Sequence, residues 1–511
     1  RDARRVVKRI NPDGIIFLNT GGWHGSSWRV ERDIQKIGEY QDFNGAEAFF
    51  HVHRGYQNLY SSALMAKYLV AGGKPAVVFT HYMYGIWHYN LLPPLEIKLA
   101  IVQTVACGAN PWIAFINKAY ESEPEGVKPV EEIYGFLEEN EEYYTGVKSE
   151  AKVAVHCSMQ TSRYYISEVK ELYRDLGSGR ERDLIVEAGT GKVSVDWRIR
   201  KRICEGIRES SFLGFCIALW RSHIPFDIIL DRDLENVEKL SRYNTIILPN
   251  SACLSNLQLE AIKRFVGKGG RLIASFETGL YDERGKRREK SIIDEILGVR
   301  HRVGAFPAVL GENYIRIMED YPPYRKGRLL PRSPYSLMVE EVENAETPIL
   351  FLEPIPRVYL PLTRESKYPA LIVHRFHRGL SAYFPHLVGW FYAEYKMDEI
   401  GNLISYTVRK LNATIPIEID APPTVQVEVY SQNDRGRLII HLVNNSGDMK
   451  RPITHILPVR GIKVKVNGLP NQPRRVYTLT EKKDLTFRRA EQRIEFTIPE
   501  LNLYEVIVVE T

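Results

Sequence analysis

Glu47 is the residue of this sequence whose surroundings point most directly to chemistry. It lies in the apolar run GAEAFF (residues 45–50), where a carboxylate has no obvious structural reason to occur. A carboxyl group in such a setting suits a general acid, which holds a proton until the reaction requires it. The alternative is a structural glutamate that pairs with a neighbouring Lys or Arg. The sequence leaves both interpretations open.

A second group of candidate residues follows the apolar run 15–18. Asn19 can hydrogen-bond to sugar hydroxyls, the indole of Trp23 can stack on a pyranose ring, and His24 lies beside it. Two glycines between Asn19 and Trp23 would let a ligand approach the backbone closely. We therefore predict substrate contacts for these three residues, against the alternative of an ordinary loop between a strand and a helix.

Histidines and aromatic residues accumulate at two further strand ends. His51 and His53 follow Glu47 in the tripeptide HVH, and alternate residues of a strand share one face. Carbohydrate contacts and packed histidines are both compatible with this pattern. No third metal ligand is apparent, so we expect neither a metal nor a cofactor. A second set of candidate substrate contacts follows the run 76–80 and consists of His81, Tyr82, Trp87 and His88.

Four strand-like runs, separated by helical stretches, must position these residues. They are residues 15–18, 46–50, 76–80 and 112–116. A closed (β/α)₈ barrel needs eight such units and roughly 250 residues. Residues 1–148 therefore indicate the second half of a barrel, strands five to eight, which on its own would expose strand edges and apolar helix faces. We expect strands one to four to come from a second chain or from a segment that precedes this sequence.

The remaining sequence predicts three further regions. Residues 149–305 alternate short apolar strands with helices, which indicates a doubly wound α/β domain with a parallel sheet. Residues 306–415 read as a mixed α/β extension of that domain. Residues 416–511 alternate apolar and polar residues with period two between turns, which indicates a β-sandwich. The predicted fold class is therefore α/β multidomain.

Composition restricts the class of protein. The formal net charge of +6 is small for 511 residues and the basic residues are scattered, so we expect no nucleic acid partner. No apolar run reaches the roughly 18 residues of a membrane span, so we expect no membrane partner. Five cysteines without a CxxC motif fit a reducing, cytoplasmic location. The abundance of Lys, Arg and Glu would suit a thermophile.

Several longer stretches resemble one protein family. GAEAFFH (45–51) is similar to the sixth strand of the hypothetical glycoside hydrolases that carry a β-galactosidase-trimerisation-type domain. These proteins are related to the family 42 β-galactosidases and to the α-L-fucosidase barrels. Similar stretches are INPDGIIFLNTGG (10–22), YSSALMAKYLVAGGKPAVVFTHYMYGIWHYN (60–90) and LAIVQTVACGANPWIAF (99–115) for the barrel, and SFLGFCIALWRSHIPFDII (211–229) for the trimerisation-type domain.

The resemblance implies a glycoside hydrolase, or a subunit or fragment of one, with a carbohydrate substrate. It also implies a homo-oligomer (a dimer, trimer or hexamer) held by the trimerisation-type domain. Glycoside hydrolysis uses two carboxylates, and Glu47 is the candidate for one of them. Family 42 enzymes carry the nucleophilic glutamate at the end of strand seven, where this sequence has Thr80. We therefore expect the second carboxylate on the missing strands.

Two other functions remain open. The first is a non-catalytic carbohydrate-binding or scaffold subunit that keeps a degenerate barrel pocket. The second rests on Cys253, because residues 149–305 also resemble the flavodoxin-like fold of the class I glutamine amidotransferases, which use a cysteine nucleophile at a tight elbow. The elbow glycines are missing from PNSACLSN (249–256), so we disfavour a cysteine hydrolase.

Overall fold

The chain folds, in the computed structural model, as two units that are discontinuous in sequence. The terminal unit comprises Arg1–Lys152, Leu219–Ile228 and Ile415–Thr511, and the central unit comprises Val153–Ala218 and Ile229–Thr414. No helix among the described residues has both the length and the apolar character required to cross a membrane. The structure describes residues 2–24, 33–48, 59–81, 83–84, 87–114, 124–173, 197–308, 312–355, 359–411, 415–446, 451–469, 473–490 and 492–511.

A parallel sheet forms the centre of the first part of the terminal unit. The strands of this part are β1 (Asn19–Thr20), β2 (Asn44–Ala48), β3 (Ala76–His81), β4 (Met83–Tyr84), β5 (Trp87–Leu91), β6 (Asn110–Ala114) and β7 (Lys148–Ser149). The helices are α1 (Asp2–Ile10), α2 (Ile34–Ile37), α3 (Ser61–Ala71), α4 (Pro94–Ala106) and α5 (Lys128–Glu139). The sheet has the order β1-β2-β3-β6 with every pair parallel, and β4 and β5 form an antiparallel hairpin.

The first strand begins later than the sequence predicts. The apolar run 15–18 is not a strand, because Gln41 and Asp42, which belong to no strand, bind its backbone. The amide of Ile16 donates to Oδ2 of Asp42 at 2.9 Å, and the amide of Leu18 donates to Oε1 of Gln41 at 3.1 Å. Parallel pairing with β2 starts only at β1.

The central unit contains a large mixed sheet. Its strands are β8 (Val153–His156), β9 (Phe226–Ile229), β10 (Thr245–Leu248), β11 (Arg271–Ser275), β12 (Val299–Ala305), β13 (Tyr314–Ile317), β14 (Leu329–Pro331), β15 (Leu337–Glu341), β16 (Glu346–Leu352), β17 (Glu365–Phe376) and β18 (Gly379–Phe384). The helices are α6 (Met159–Tyr164), α7 (Trp197–Arg221), α8 (Val237–Leu240), α9 (Asn256–Gly267), α10 (Ile292–Leu297), α11 (Val388–Tyr395) and α12 (Asp398–Leu411). The order is β14-β13-β16-β17-β18-β11-β10-β8-β9, and β12 pairs with β15.

The large sheet is parallel in one half and antiparallel in the other. The pairs β8–β10, β10–β11 and β11–β18 are parallel, as expected for a doubly wound domain. The pairs that join β18, β17, β16, β13 and β14 are antiparallel, so the region 306–415 continues the same sheet in the other sense. The reason is local, because only two residues connect β17 to β18 and so short a turn can join antiparallel strands only.

The C-terminal part of the terminal unit consists of two antiparallel sheets. Its strands are β19 (Ile417–Asp420), β20 (Val425–Gln432), β21 (Arg437–Asn444), β22 (Val459–Asn467), β23 (Arg475–Thr478), β24 (Phe487–Ala490), β25 (Arg493–Leu501) and β26 (Tyr504–Glu510). One sheet has the order β19-β22-β25-β24 and the other has the order β23-β26-β21-β20-β7. Val427 and Ile440 of the second sheet share a hydrophobic core with Val464 and Phe496 of the first. Short 3₁₀ helices lie at Gly38–Tyr40, Pro124–Gly126, Glu141–Tyr143, Lys170–Tyr173, Asp231–Glu235 and Asn433–Arg435.

A buried ion pair joins the first and last parts of the terminal unit. Helix α3 is apolar on almost every side and is buried along most of its length, and Lys67 is its one charged residue. The Lys67 ammonium lies 2.8 Å from Oε2 of Glu428 in β20 and donates to the carbonyl oxygen of Phe226 at 2.6 Å. The Trp220 indole donates to the other carboxylate oxygen of Glu428 at 2.9 Å. Both charges are therefore hydrogen-bonded as well as paired, as burial requires.

Candidate active site

Strand β2 presents Glu47 on the face of the parallel sheet that points away from helix α3. Asn44 lies on the helix-covered face, since its Nδ2 donates to the carbonyl oxygen of Leu69 in α3 at 2.9 Å. Side chains alternate along a strand, so Gly45 and Glu47 lie on the opposite face. Glu47 is the fourth of the five strand residues and lies near the carboxyl end of β2.

Glu47 and Asn19, two of the predicted site residues, are in direct contact. Nδ2 of Asn19 donates a hydrogen bond to Oε1 of Glu47 over 2.8 Å. The contact arises because Asn19 pairs with Gly45 in the parallel register. Asn19 therefore lies beside the residue of β2 that is two positions before Glu47. The Glu47 side chain is partly buried. The amide therefore orients a carboxyl group that can still meet a ligand.

The aromatic rings of Phe17, Phe79 and Trp112 lie on the same face of the sheet as Glu47. The Phe79 ring is 5.5 Å from Phe17 and 4.8 Å from Trp112 between centroids. Glu47 pairs with Phe79, and Phe79 pairs with Trp112, in the sheet register. A glycine is needed at position 45, because a Cβ there would lie 2.8 Å from Cε2 of Phe79. The sequence interpretation did not include this aromatic layer, although Phe79 and Trp112 occupy neighbouring strands.

Trp23 and His24 lie in the turn after β1. The Trp23 side chain is only 6% exposed, and its ring meets the His24 ring edge-on at 5.8 Å. Gly22 has φ +75°, and a Cβ there would lie 2.5 Å from the Cε methyl group of Met65, so only glycine suits the turn. The indole of Trp23 is therefore packed into the protein, and its stacking on a sugar stays a prediction.

The other predicted contacts cannot be placed. Three of them lie outside the described residues: His51, His53 and Tyr82. For three others the structure describes the strand but not the side chain: His81, Trp87 and His88. Their roles stay predictions.

Thr80 lies on the face of β3 opposite to the face that carries Glu47. Its side chain is buried on the helix-covered face, in register with Ala48 and Ile113. A nucleophile at this position would therefore point toward helix α3 and away from Glu47, whatever its chemical type.

Cys253 is fully buried, and burial raises the pKa of its thiol. Its backbone amide donates to Oγ1 of Thr161 at 3.1 Å, which fixes the turn after β10. A thiol that is hard to ionise and has no solvent access is a poor nucleophile. The structure therefore gives no support to a cysteine hydrolase.

A buried serine–histidine–aspartate cluster close to this turn was not predicted. His156 has Nδ1 2.9 Å from Oγ of Ser251 and Nε2 3.2 Å from Oδ1 of Asp231. Asp231 also accepts the backbone N–H groups of Met159 and Gln160, which begin helix α6. The cluster is buried and its carboxylate caps a helix, so it holds the ends of β8 and β10 in place. Serine, histidine and aspartate are each common in loops, so the sequence gives no signal for this cluster. Only the fold brings the three residues together.

Comparison with known proteins gives a family match for one segment. Residues 194–309 match the family model of the beta-galactosidase trimerisation domain. The trimerisation-type domain expected from the resemblance is confirmed for these residues by this match. A search of curated proteins gives no match.

Solved structures of glycosidases share the fold of the chain. The alpha-L-fucosidase isoenzyme 2 from Paenibacillus thiaminolyticus is 18% identical with a TM-score of 0.73, over 99% of this chain and 70% of that protein. The beta-galactosidase from Bacillus circulans sp. alkalophilus is 16% identical with a TM-score of 0.65, over 99% of this chain and 65% of that protein. The chain thus spans about two thirds of the length of these proteins and has a mixed α/β fold with several sheets.

Proposed function

We propose that the chain takes part in the hydrolysis of glycosidic bonds, with a carbohydrate as its substrate. The observation that carries the proposal is the Glu47 carboxyl group, which lies near the carboxyl end of a parallel strand and is oriented by Asn19. Catalytic groups of α/β barrels gather at this end of the strands. The likeness to a fucosidase and a β-galactosidase and the trimerisation-domain match support the same class of reaction.

In this proposal Glu47 is the acid/base residue and Asn19 is a positioning residue. Glu47 gives its proton to the glycosidic oxygen as the bond to the leaving sugar breaks, and takes a proton back from water afterwards. The amide N–H of Asn19 holds one carboxyl oxygen, so the group does not have to be ordered when the substrate binds.

The second carboxylate must come from outside the four paired strands. Among β1, β2, β3 and β6, only β2 contains an acidic residue. The reaction needs a partner carboxyl group about 5–5.5 Å from Glu47 for retention of configuration, or about 6.5–9.5 Å away for inversion. We place it on barrel strands one to four, carried by a second chain or by a preceding segment.

Exposed apolar residues beside the parallel sheet support such a complement. Ile10 of α1 and Ile15 are 78% and 71% exposed, and Trp112 of the outer strand β6 is 47% exposed. An ion pair between Arg4 and Asp42 holds α1 beside the sheet. Further βα units at the open edges would bury these side chains, as the helices and strands of a closed barrel do.

We further propose that residues 194–309 join copies of the chain into a homo-oligomer. The support is the match to a domain described by its role in trimerisation. Light scattering coupled to size-exclusion chromatography measures the mass directly. A particle with the mass of one chain, with or without its complement, would contradict this part of the proposal.

The test of catalysis is Glu47→Gln in the protein as purified with every polypeptide that accompanies it. Nitrophenyl α-L-fucoside and nitrophenyl β-D-galactoside are the first substrates, chosen from the named relatives. We expect kcat/KM for the corresponding alkyl glycosides to fall about 10²–10⁴-fold, because the amide cannot give a proton to the leaving oxygen. Glu131→Gln on the exposed side of α5 is the matched control and should leave kcat/KM unchanged.

The leaving group separates the two catalytic roles of a carboxylate. Nitrophenolate leaves without protonation, so Glu47→Gln should slow an alkyl glycoside more than a nitrophenyl glycoside if Glu47 is the acid/base. Full activity of Glu47→Gln on both substrates would exclude the assigned role. Sugar binding without turnover in the unaltered protein would instead favour the non-catalytic carbohydrate-binding subunit.

A further inference from the structure

A cavity of about 440 Å³ lies in the terminal unit at the opposite end of the parallel strands from Glu47. Asn110, the first residue of β6, lines the cavity, whereas Glu47 is level with Trp112, two residues further along. The end of α4, helix α5 and strands β20 and β21 supply the other walls. The volume is in the range of small-molecule sites.

Aromatic side chains form much of the wall. The ring of His441 is 5.5 Å from the ring of Tyr144 and 5.5 Å from the ring of Tyr430, between centroids. Burial lowers the pKa of His441 to about 3, so this imidazole is neutral at physiological pH. Tyr134 on α5 adds a further ring. These π faces attract organic cations and flat apolar groups.

Three side-chain hydrogen-bond donors of the wall already bind backbone carbonyl oxygens. Nδ2 of Asn110 donates to the carbonyl oxygen of Ala76 at 3.1 Å. The hydroxyl of Tyr134 donates to the carbonyl oxygen of Pro111 at 2.8 Å, and that of Tyr430 donates to a carbonyl oxygen of α4 at 3.1 Å. A ligand that needs donors from the protein, such as an anion, finds few in this wall.

The acceptors that remain are the carboxylates of Glu138 and Glu141. Both line the cavity, and neither has a hydrogen-bond or ion-pair partner for its carboxylate within the described part of the chain. No Lys or Arg is among the described residues that line the cavity. Glu138 also belongs to the last turn of α5, where the helix dipole disfavours negative charge. A bound cation would offset the unfavourable interaction of Glu138 with the helix dipole and would neutralise the charge of Glu141.

The neighbouring carboxylates that do not line the cavity are paired. Glu139 lies 3.4 Å from the ammonium of Lys482. Glu142 lies 2.6 Å from Arg435 and 2.9 Å from Arg437. Basic side chains are therefore available to pair with the carboxylates of this segment. Among the described residues, the two carboxylates without such a partner are those of Glu138 and Glu141, which line the cavity.

We propose that this cavity binds an organic cation, an amine or guanidinium on a flat or aliphatic body. The charged group lies against Glu138 and Glu141, and the body packs on the rings of Tyr134, Tyr144 and Tyr430. A donor-rich cation complements a wall of acceptors and π faces. The site is separate from Glu47 and does not depend on the proposed hydrolysis.

Calorimetric titration of the purified protein with benzylamine and with benzyl alcohol tests the proposal. The two probes have nearly the same shape and differ in charge. We expect benzylamine to bind at least about tenfold more tightly at about 10 mM ionic strength, and to lose affinity at about 0.1 M as screening shortens the Debye length. The double variant Glu138→Gln/Glu141→Gln should lose that preference, and Glu139→Gln should keep it.

Two results would overturn the proposal. They are equal binding of the two probes and unchanged benzylamine affinity in the double variant. All four glutamates of this segment are exposed or partly exposed, so their amide variants are expected to fold. Because heat of binding is the signal, a protein without glycosidase activity can still confirm the cation site.

Discussion

The parallel sheet of the terminal unit and the large sheet of the central unit differ in how completely they are covered. The central strands β10 and β11 are buried on both faces, and helix α9 buries its apolar side against them. The terminal strand β6 exposes Trp112, and helix α1 buries none of its residues. Parallel strands are stable when both faces are covered. The central strands are thus covered within this chain, while the sheet that carries Glu47 leaves part of Trp112 exposed.

The strongest perturbation of the terminal unit should come from its most buried ion pair. Glu96 in α4 and Arg451 are both fully buried, 2.6 Å apart, and Glu96 also accepts the amide of Ile453. Glu96→Ala leaves the guanidinium unpaired, and we expect a loss of about 3–5 kcal/mol. Hydrogen exchange with mass spectrometry should show faster exchange in the terminal unit. Unchanged exchange in the terminal unit would contradict this prediction.

A glycine in α7 gives the corresponding test of the central unit. A Cβ at Gly214 would lie 1.9 Å from the carbonyl oxygen of Gly389 in α11, so Gly214→Ala must push the two helices apart. We expect a loss of about 3 kcal/mol, measured by urea denaturation. Gly206 in the same helix has open space around its Cβ position, and Gly206→Ala should raise stability by about 0.5–1 kcal/mol. Similar effects of both changes would argue against close packing of α7 and α11.

A buried histidine makes the central unit sensitive to acid. His386 has no partner for either ring nitrogen among the described residues. Burial and the charge of Arg332 lower its pKa to about 3, whereas the unfolded chain takes up the proton near pH 6.5. Stability should therefore be constant above pH 6.5 and fall below it, by about 2 kcal/mol at pH 5. His386→Leu should remove this contribution from the pH profile of denaturation, and an unchanged profile would place the sensitivity elsewhere.

The smallest effect is expected at the uncovered surface. Ile10→Ser and Ile15→Ser should change the stability of this chain by less than about 0.5 kcal/mol, because both side chains are already in water. In a particle that contains the complementary barrel strands, the same changes should cost about 1.5–3 kcal/mol each, the cost of losing a buried apolar side chain. Thermal unfolding of the chain alone and of the particle would show whether the surface around Ile10 and Ile15 becomes covered in the particle or stays exposed.

Local patterns predicted much of the fold. Helix α9 begins at Asn256 because Ser255 and Gln258 cap its first turn reciprocally, a pattern that the local sequence can report. The antiparallel half of the central sheet was not predicted, although the two-residue turn between β17 and β18 requires antiparallel pairing there. The displaced start of β1 depends on Asp42 and Gln41, more than 20 residues away, and no local pattern reports that competition.

The candidate site was predicted in part for the same reason. Glu47 and Asn19 stood out by residue type, and strand register explains why they meet. The burial of Trp23 was not predicted, because it depends on which side chains the fold brings around the turn. The cavity near Tyr430 joins residues about 300 positions apart, which no local window can connect.

The ion pair between Lys67 and Glu428 has a consequence for synthesis of the chain. Its partners are 361 residues apart, with almost the whole central unit between them. At about 5–20 residues per second, helix α3 leaves the ribosome roughly 20–70 seconds before its counter-charge exists. The central unit is finished within that interval. Lys67 of the nascent terminal unit therefore waits for its counter-charge until the central unit has been synthesised.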